Sequence, residues 1–459
     1  MGHQPQVDGA SRPWGMDPTP PSPAGPPPVD GQATPRWWLW AAGLVLVAIL
    51  SSLATWVVLR DDDSAAEIAA ERAVETPGPT PTAPPSGATP VPPTGSTVPP
   101  VSQAELEAVV AELQAFVEQQ RGHRFVEPVD VVLLGDADFE AALTELVTAD
   151  GERLEVAEKV LTAAGLLEPG VDLLEAQLTL ATQGVLGYYQ RESNELVVRG
   201  TGLTPYVRQT LVHELTHALD DQLFEIYRPE YDELGDETSI GFVAVLEGNA
   251  RRVESAWVAT LTDDEKRERA LEEARFSLGV DLTAIPLYVL EATLFAYEDG
   301  AVLIDAVIEL AGQQGVDDAI ANPPSTSEEV LEPDKYFAGE GRIDVPAPPA
   351  AGDVIDEGVF GVLSLRILLE QAVTPSVAFA AIDGWAGDWY TAWDTVDGVT
   401  CIAADFAMDS PGDALQLLQA FEQLVFDRPL AQAEQRDPVT VRYESCTPPP
   451  SSGGAASRS

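Results

Sequence analysis

His213-Glu214-Leu215-Thr216-His217 places two imidazoles four residues apart with a carboxylate between them. On a helix, positions i and i+4 share one face a turn apart, so both rings could reach a single tetrahedral Zn²⁺. Glu214 would stand about 100° around the helix from His213, beside the open side of such an ion, where it could take a proton from bound water. The chemistry implied is hydrolysis by metal-activated water, with Glu214 as general base. Two unrelated His on an ordinary helix are the simpler alternative. The flanking residues weigh against it: Thr204 before Pro205 supplies an N-cap and a first-turn proline, so a helix starts there and carries the motif in its third turn.

The chain has only 4 His, and the other two, His3 and His123, lie in the N-terminal tail and in isolation. A three-His site is therefore disfavoured, and the extended form H-E-x-x-H-x-x-G-x-x-H is excluded because its last position is Leu223. A carboxylate must complete the set, with water in the remaining position. Asp220, Asp221, Glu225, Glu237, Glu247 and Glu254 are the nearby candidates. Glu247 is the best of them. It shares a helical stripe with Ile240, Val243 and Ala250, so it points inward, and a buried carboxylate is costly unless a cation accompanies it. Gly248 beside it permits close approach of a facing helix. The competing roles for Glu247 are a solvated helix acid or an ion pair with Arg251 at i+4. Asp220 or Asp221, on the motif helix itself, could accept a hydrogen bond from a ligand imidazole.

The elements that must position these groups are legible in part. Ser102 and Glu105 form a capping box that opens a helix reaching about Gln120. Val129 to Leu134 reads as a strand, and helical patterns fill Phe139 to Val147 and Leu154 to Ala164. Gly187-Tyr188-Tyr189 and Leu196-Val197-Val198 flank a polar turn and predict a hairpin, which could align an extended peptide by strand addition or serve as scaffold. Helices are expected from Pro205 to Gln222 and from Ser239 to Leu261, with more between Asp263 and Gly312. Strands are expected over Trp389 to Trp393, Gly398 to Ala404 and Val439 to Tyr443, the first two joined at Asp397-Gly398. Cys401 and Cys446 fall in or beside the last two, so a cross-strand disulfide is plausible outside the cytoplasm, two free buried thiols being the alternative. Trp385, Trp389 and Trp393 are expected to fill core.

Composition bounds the partners. With 25 Lys and Arg against 75 Asp and Glu, the net charge is −50, which argues against nucleic acid or an anionic membrane surface as a partner. Trp37 to Leu59 carries no charge and, as a helix, would run about 34 Å, enough to cross a bilayer. The flanking Arg36, Arg60 and Arg72 do not orient it. The Pro/Thr/Ser-rich stretch Thr76 to Pro100 reads as an extended stalk of the kind found on the outer side of a membrane. The expected order is a Pro-rich cytoplasmic tail (1–36), a transmembrane helix (37–59), an acidic and Pro/Thr-rich linker (60–100), a folded domain (101–446) and a frayed tail (447–459).

The match extends beyond five letters. His213 to Gln222, HELTHALDDQ, followed by Leu246-Glu247-Gly248-Asn249-Ala250, resembles the gluzincin-type zinc metallopeptidases, in particular membrane-anchored bacterial proteins with an H-E-L-T-H-A helix and a later E-G-D-A helix. Stretches around Gly187-Tyr188-Tyr189, Phe295 to Gly300, Pro323 to Glu329, Pro333 to Tyr336 and Gly384 to Asp388 look like the same group, so the resemblance covers most of Val101 to Tyr443. It implies a zincin-like α+β domain, mostly helical, with a small antiparallel sheet; His213, His217 and Glu247 as zinc ligands; Glu214 as base; and a peptide or protein substrate. Asn249 departs from the group's usual Asp. Tyr297 could donate to an oxyanion, although a buried helix Tyr is the plainer reading.

The expectation is an extracytoplasmic, single-pass zinc metallopeptidase. Its rivals are a zinc-binding envelope protein without activity, closed by a fourth protein ligand, and a membrane-tethered interaction module that uses its acidic surface.

Overall fold

The computed structural model describes residues 101–149, 151–233 and 237–449. The expected cytoplasmic tail, transmembrane helix and stalk lie outside the described residues, and no helix among those described is long and apolar enough to cross a membrane.

The chain opens with helix α1 (Gln103–Arg121), whose Ser102 and Glu105 form the expected reciprocal capping box. Strand β1 (Asp130–Leu134) follows, then α2 (Asp136–Thr148), α3 (Gly151–Ala164) and α4 (Leu173–Gly184). The hairpin forms as β2 (Gly187–Gln190) and β3 (Glu195–Arg199), with Asn194 in the left-handed region at the turn. Two long helices come next, α5 (Pro205–Phe224) and α6 (Thr238–Thr260), then α7 (Asp263–Ser277) and α8 (Leu287–Leu294). A π-helical turn, Phe295–Asp299, leads into α9 (Gly300–Ala321), which is broken at Gly312. The remainder is α10 (Ser327–Leu331), α11 (Pro333–Ala338), β4 (Asp353–Gly358), α12 (Val362–Glu370), α13 (Pro375–Ile382), β5 (Trp385–Asp394), β6 (Thr400–Met408), α14 (Pro411–Val425), β7 (Ala431–Asp437) and β8 (Thr440–Cys446).

The class is α+β, mostly helical, but the expectation of one small antiparallel sheet needs correction. Among the described residues there are two sheets. The first has order β1-β3-β2 and is mixed: β1 runs parallel to β3, with Asp130 opposite Glu195, while β2 and β3 are antiparallel. Three helices separate β1 from the hairpin and deliver the chain into β2 running opposite to β1; the hairpin turn then reverses it, so β3 runs parallel to β1. The second sheet is antiparallel with order β4-β5-β6-β8-β7. Its outer strands β4 and β7 were not foreseen, for a physical reason. Both are edge strands rich in exposed polar residues, so they lack the apolar alternation that betrays a half-buried strand.

Cys401 and Cys446 face each other across β6 and β8 and are joined by a disulfide, as expected. Trp385 is wholly buried in the larger core with Trp389 half-buried against it, while Trp393 is buried in a separate small cluster with Cys401 and Ala403.

The apolar interior consists of two main clusters, and α6 belongs to both. Phe242 to Leu246 join the larger one, with Leu303 and Ile304 of α9, Leu365 of α12 and the inner face of the five-stranded sheet. Val253 and Trp257 join the smaller, with Leu211, Val212 and Leu215 of α5, Leu113 and Val117 of α1, and Val198 of β3. Between these stretches of α6 lie Glu247, Gly248 and Asn249. Polar chemistry is thus concentrated where two apolar cores meet along one helix.

Candidate metal centre

Helix α5 starts at the expected cap: the Thr204 side chain accepts from the Val207 N–H, and Pro205 occupies the first turn. The helix is buried almost all round from Tyr206 to Asp221, so it forms a central rod rather than a surface element. His213 and His217 project from one side of it, with ring centroids 4.8 Å apart. Helix α6 crosses α5 and delivers Glu247. Close packing of α6 depends on glycine: a Cβ on Gly248 would sit 2.2 Å from the Gly300 backbone of α9, and a Cβ on Gly300 would sit 2.2 Å from the Ala244 carbonyl oxygen.

His213, His217 and Glu247 form a group that could hold a metal ion. The Nε2 atoms of the two imidazoles are 3.0 Å apart, and Glu247 Oε2 lies 3.1 Å from that of His213 and 3.5 Å from that of His217. Ligands bound at about 2.0–2.1 Å at the corners of a tetrahedron are about 3.3 Å from one another, so these separations suit one small cation. The three side chains are at most 1 % exposed. Among the described residues Glu247 Oε1 has no hydrogen-bond partner, a costly arrangement for a buried carboxylate and one that a cation would relieve.

Electrostatics agree with the geometry. Burial pushes the His213 imidazolium towards neutrality, but hydrogen bonds to Glu247 and Glu254 outweigh it and lift its pKa to about 10. Burial likewise raises Glu247, yet the two imidazoles beside it bring its pKa down to about 2. The pocket therefore favours a positive charge between these groups, as a proton or as a metal.

Glu214 is fully buried beside this cluster, and burial raises its carboxyl pKa to about 7 against the opposing pull of His213 and His217. Neither of its oxygens makes a well-formed hydrogen bond; the backbone N–H of Tyr189, on β2, favours its ionised form. Strand β2 approaches α5 so closely that a Cβ on Gly187 would come within 2.7 Å of Thr210 Cγ2 and 3.4 Å of Glu214 Cγ.

The other candidate acids do not join the ligand cluster. Asp221 accepts from Tyr189 Oη at 3.2 Å and from the Ile226 N–H at 3.1 Å. Glu225 ends α5 in the left-handed conformation. Glu237 accepts from the Ser327 N–H and hydroxyl at 3.0 and 2.8 Å. Asp220 pairs with Arg121, so neither Asp220 nor Asp221 supports a ligand ring. That role falls to Glu254, which accepts from His213 Nδ1 at 3.0 Å and from Arg251 Nη1 at 3.0 Å. The sequence did carry a signal for it, since Glu254 lies seven residues after Glu247 and so two turns further along the same face. Arg251 pairs with Glu254 and Glu298 and not with Glu247. Tyr297 is buried in the π-helical turn with its ring stacked 5.9 Å from that of His213, a place that fixes the imidazole plane.

Comparison with known proteins adds little. No family model matches the chain, and no curated protein matches it. Among solved structures, the crystal structure of "a putative hydrolase with a novel fold from Chloroflexus aurantiacus" is similar at 18% identity, covering 53% of this chain and 93% of that one, with a TM-score of 0.35. A likeness at that level carries no inference about chemistry.

Proposed function

We propose that the protein is a zinc metallopeptidase of gluzincin type, with residues 101–446 as a zincin-like catalytic domain. The observation that carries this reading is the convergence of His213, His217 and Glu247 at tetrahedral spacing with Glu214 buried alongside. A Zn²⁺ ion held by those three residues supplies a Lewis acid that polarises a carbonyl and acidifies water. Glu214, with a pKa near neutrality, takes the proton from the attacking water and returns it to the leaving amine. Glu254 and Tyr297 keep the His213 ring in place throughout.

A peptide substrate is supported by the H-E-x-x-H and Glu-Gly pattern and by the placement of β2. That strand lies at the edge of its sheet and bears the Tyr189 N–H that acts on Glu214, so an extended chain added there would run past the base. We further propose that Trp37 to Leu59 tethers the domain to the membrane with the catalytic part outside the cytoplasm. The Cys401–Cys446 disulfide supports that side, since such bonds persist in oxidising compartments. A closed, purely structural zinc site would need a fourth protein donor. Among the described residues the ligand group has three members, which favours a catalytic site.

The test is elemental analysis of the purified full-length protein together with cleavage of a peptide library. We expect one zinc per chain and metal-dependent cleavage, with Glu214→Gln keeping the zinc and losing the cleavage. A wild-type chain that binds no divalent metal, or a Glu214→Gln variant that cleaves as well as wild type, would overturn the proposal.

A further inference from the structure

Behind the metal centre lies a second buried polar cluster that the catalytic proposal does not use. Asp220 stands three residues after His217 on α5, and Asn249 two residues after Glu247 on α6. Asn249 Nδ2 donates to Asp220 Oδ2 at 2.7 Å. The other oxygen of Asp220 accepts two hydrogen bonds from Arg121 at the end of α1, from Nε at 2.9 Å and from Nη2 at 2.7 Å. Arg121 Nη2 also donates to Asp317 of α9 at 3.1 Å, and His123 Nε2 meets the second oxygen of Asp317 at 2.7 Å. Arg121, Asp220 and Asn249 are fully buried.

The two ligand-bearing helices are therefore cross-linked, within a turn of their ligands, by one short bond between a carboxylate and an amide. A second polar tie lies further along, through longer side chains, where Glu254 of α6 accepts from Gln209 Nε2 at 2.5 Å and from His213 Nδ1 at 3.0 Å; the rest of the contact is largely apolar and sets how far apart the helices lie. A hydrogen bond between fixed short side chains resists sliding, and Arg121 holds the accepting carboxylate from the far side. Asn249 fits this task chemically. The oxygen it meets is an acceptor on a carboxylate already paired with a guanidinium, so residue 249 has to donate, and an ionised Asp could not.

We propose that Asn249 is a positioning residue: its bond to Asp220, braced by Arg121, sets the register of α6 against α5 and so the distance from Glu247 to the two imidazoles. The proposal rests on the metal-centre reading above. It concerns metal affinity rather than catalysis, because neither residue touches the ligand group.

The experiment is a Zn²⁺ titration against a chromophoric chelator with full-length wild type, Asn249→Ala, Asn249→Asp and the exchanged pair Asp220→Asn/Asn249→Asp. Each variant is also melted in excess chelator to record the stability of the metal-free fold. Loss of a hydrogen bond that holds a ligand in place weakens metal binding by about 10–100-fold, and that is the effect expected of both single variants. In the exchanged pair residue 220 donates and residue 249 accepts, so the bond re-forms and the affinity returns most of the way to wild type. A merely structural role would lower the melting temperature of the metal-free single variants, and restore it in the pair, without a matching change in Zn²⁺ affinity. Should Asn249→Asp fail to fold, Asn249→Ala and the exchanged pair still decide the matter. Single variants that bind Zn²⁺ as tightly as wild type would overturn the register role alone, as would an exchanged pair that is not rescued. A wild type that binds no Zn²⁺ would remove both the centre and the role.

Discussion

His213 donates from Nδ1 to Glu254 at 3.0 Å while its Nε2 meets Glu247 at 3.1 Å, so one imidazole is held between two buried carboxylates. The arrangement fixes which nitrogen faces the ligand group, because a carboxylate on Nδ1 keeps the proton there and leaves Nε2 for the metal. Replacing Glu254 by Gln should preserve the shape but weaken this hold, lowering Zn²⁺ affinity by about 10-fold, and Glu254→Ala by about 100-fold. Competition titration with a chelator measures both, and equal affinities across the series would remove Glu254 from the site.

Loss of a ligand should act differently from loss of its support. His217→Ala and Glu247→Ala are each expected to bring zinc content below a tenth of an equivalent per chain after dialysis, with cleavage lost in parallel. Removal of the metal by chelation should abolish cleavage reversibly, and added Zn²⁺ should restore it. Metal analysis before and after dialysis checks the first expectation.

In the proposed reaction Glu214 must be ionised to act as a base, and burial raises its pKa to about 7. A dication nearby stabilises the carboxylate, so the acid limb of kcat/KM should fall below pH 7, with the rate rising as pH increases through it. Glu214→Gln should lower kcat by at least 10²–10⁴-fold, and whatever activity survives should show no such limb. A pH–rate profile of the two proteins tests this.

Asp388 offers a pH effect on stability that is independent of the metal. Its carboxylate accepts from the Phe360 N–H at 2.5 Å, the Gly361 N–H at 3.0 Å and Trp385 Nε1 at 2.9 Å, yet complete burial still raises its pKa to about 6. Unfolding returns it to the ordinary value near 3.8, so between these two values the native state binds more protons than the unfolded one. Stability from this group is then greatest below about pH 4 and declines as pH rises to about 6, by about 3 kcal/mol, before levelling off. Asp388→Asn lacks the titration. The gap in stability between wild type and this variant should narrow across that window in denaturant melts at fixed pH.

Gly300 is a steric test of the helix crossing that delivers Glu247. A methyl group there would meet the Ala244 carbonyl oxygen at 2.2 Å, and backbone cannot turn aside as a side chain can. Gly300→Ala should cost about 3 kcal/mol or more, read as a lower denaturation midpoint, whereas Gly135→Ala, where no atom lies within 4 Å, should be close to neutral.

How much of this could be read from the letters varies with the kind of information involved. The motif helix, its cap, the capping box of α1, the hairpin and the choice of Glu247 over five other acids all depend on local periodicity or on the cost of burying charge, and local sequence records both. The parallel pairing of β1 with β3 depends on where three intervening helices, and then the hairpin, return the chain. The edge strands β4 and β7 carry too few apolar residues to announce themselves. Arg121 and Asp220 are 99 residues apart, so nothing local could reveal that they meet. Glu254 lay between these cases: its helical face was readable, but not the fact that the face met the far nitrogen of His213.

The covalent link from Cys401 to Cys446 closes the last strand onto the middle of its sheet only one residue before the expected C-terminal tail begins. Thr447 carries the tie one residue further, its N–H donating to the Thr400 carbonyl at 2.8 Å and its hydroxyl accepting from the Thr400 N–H at 3.1 Å. At this end β8 therefore cannot peel away from β6 without the breaking of a covalent bond.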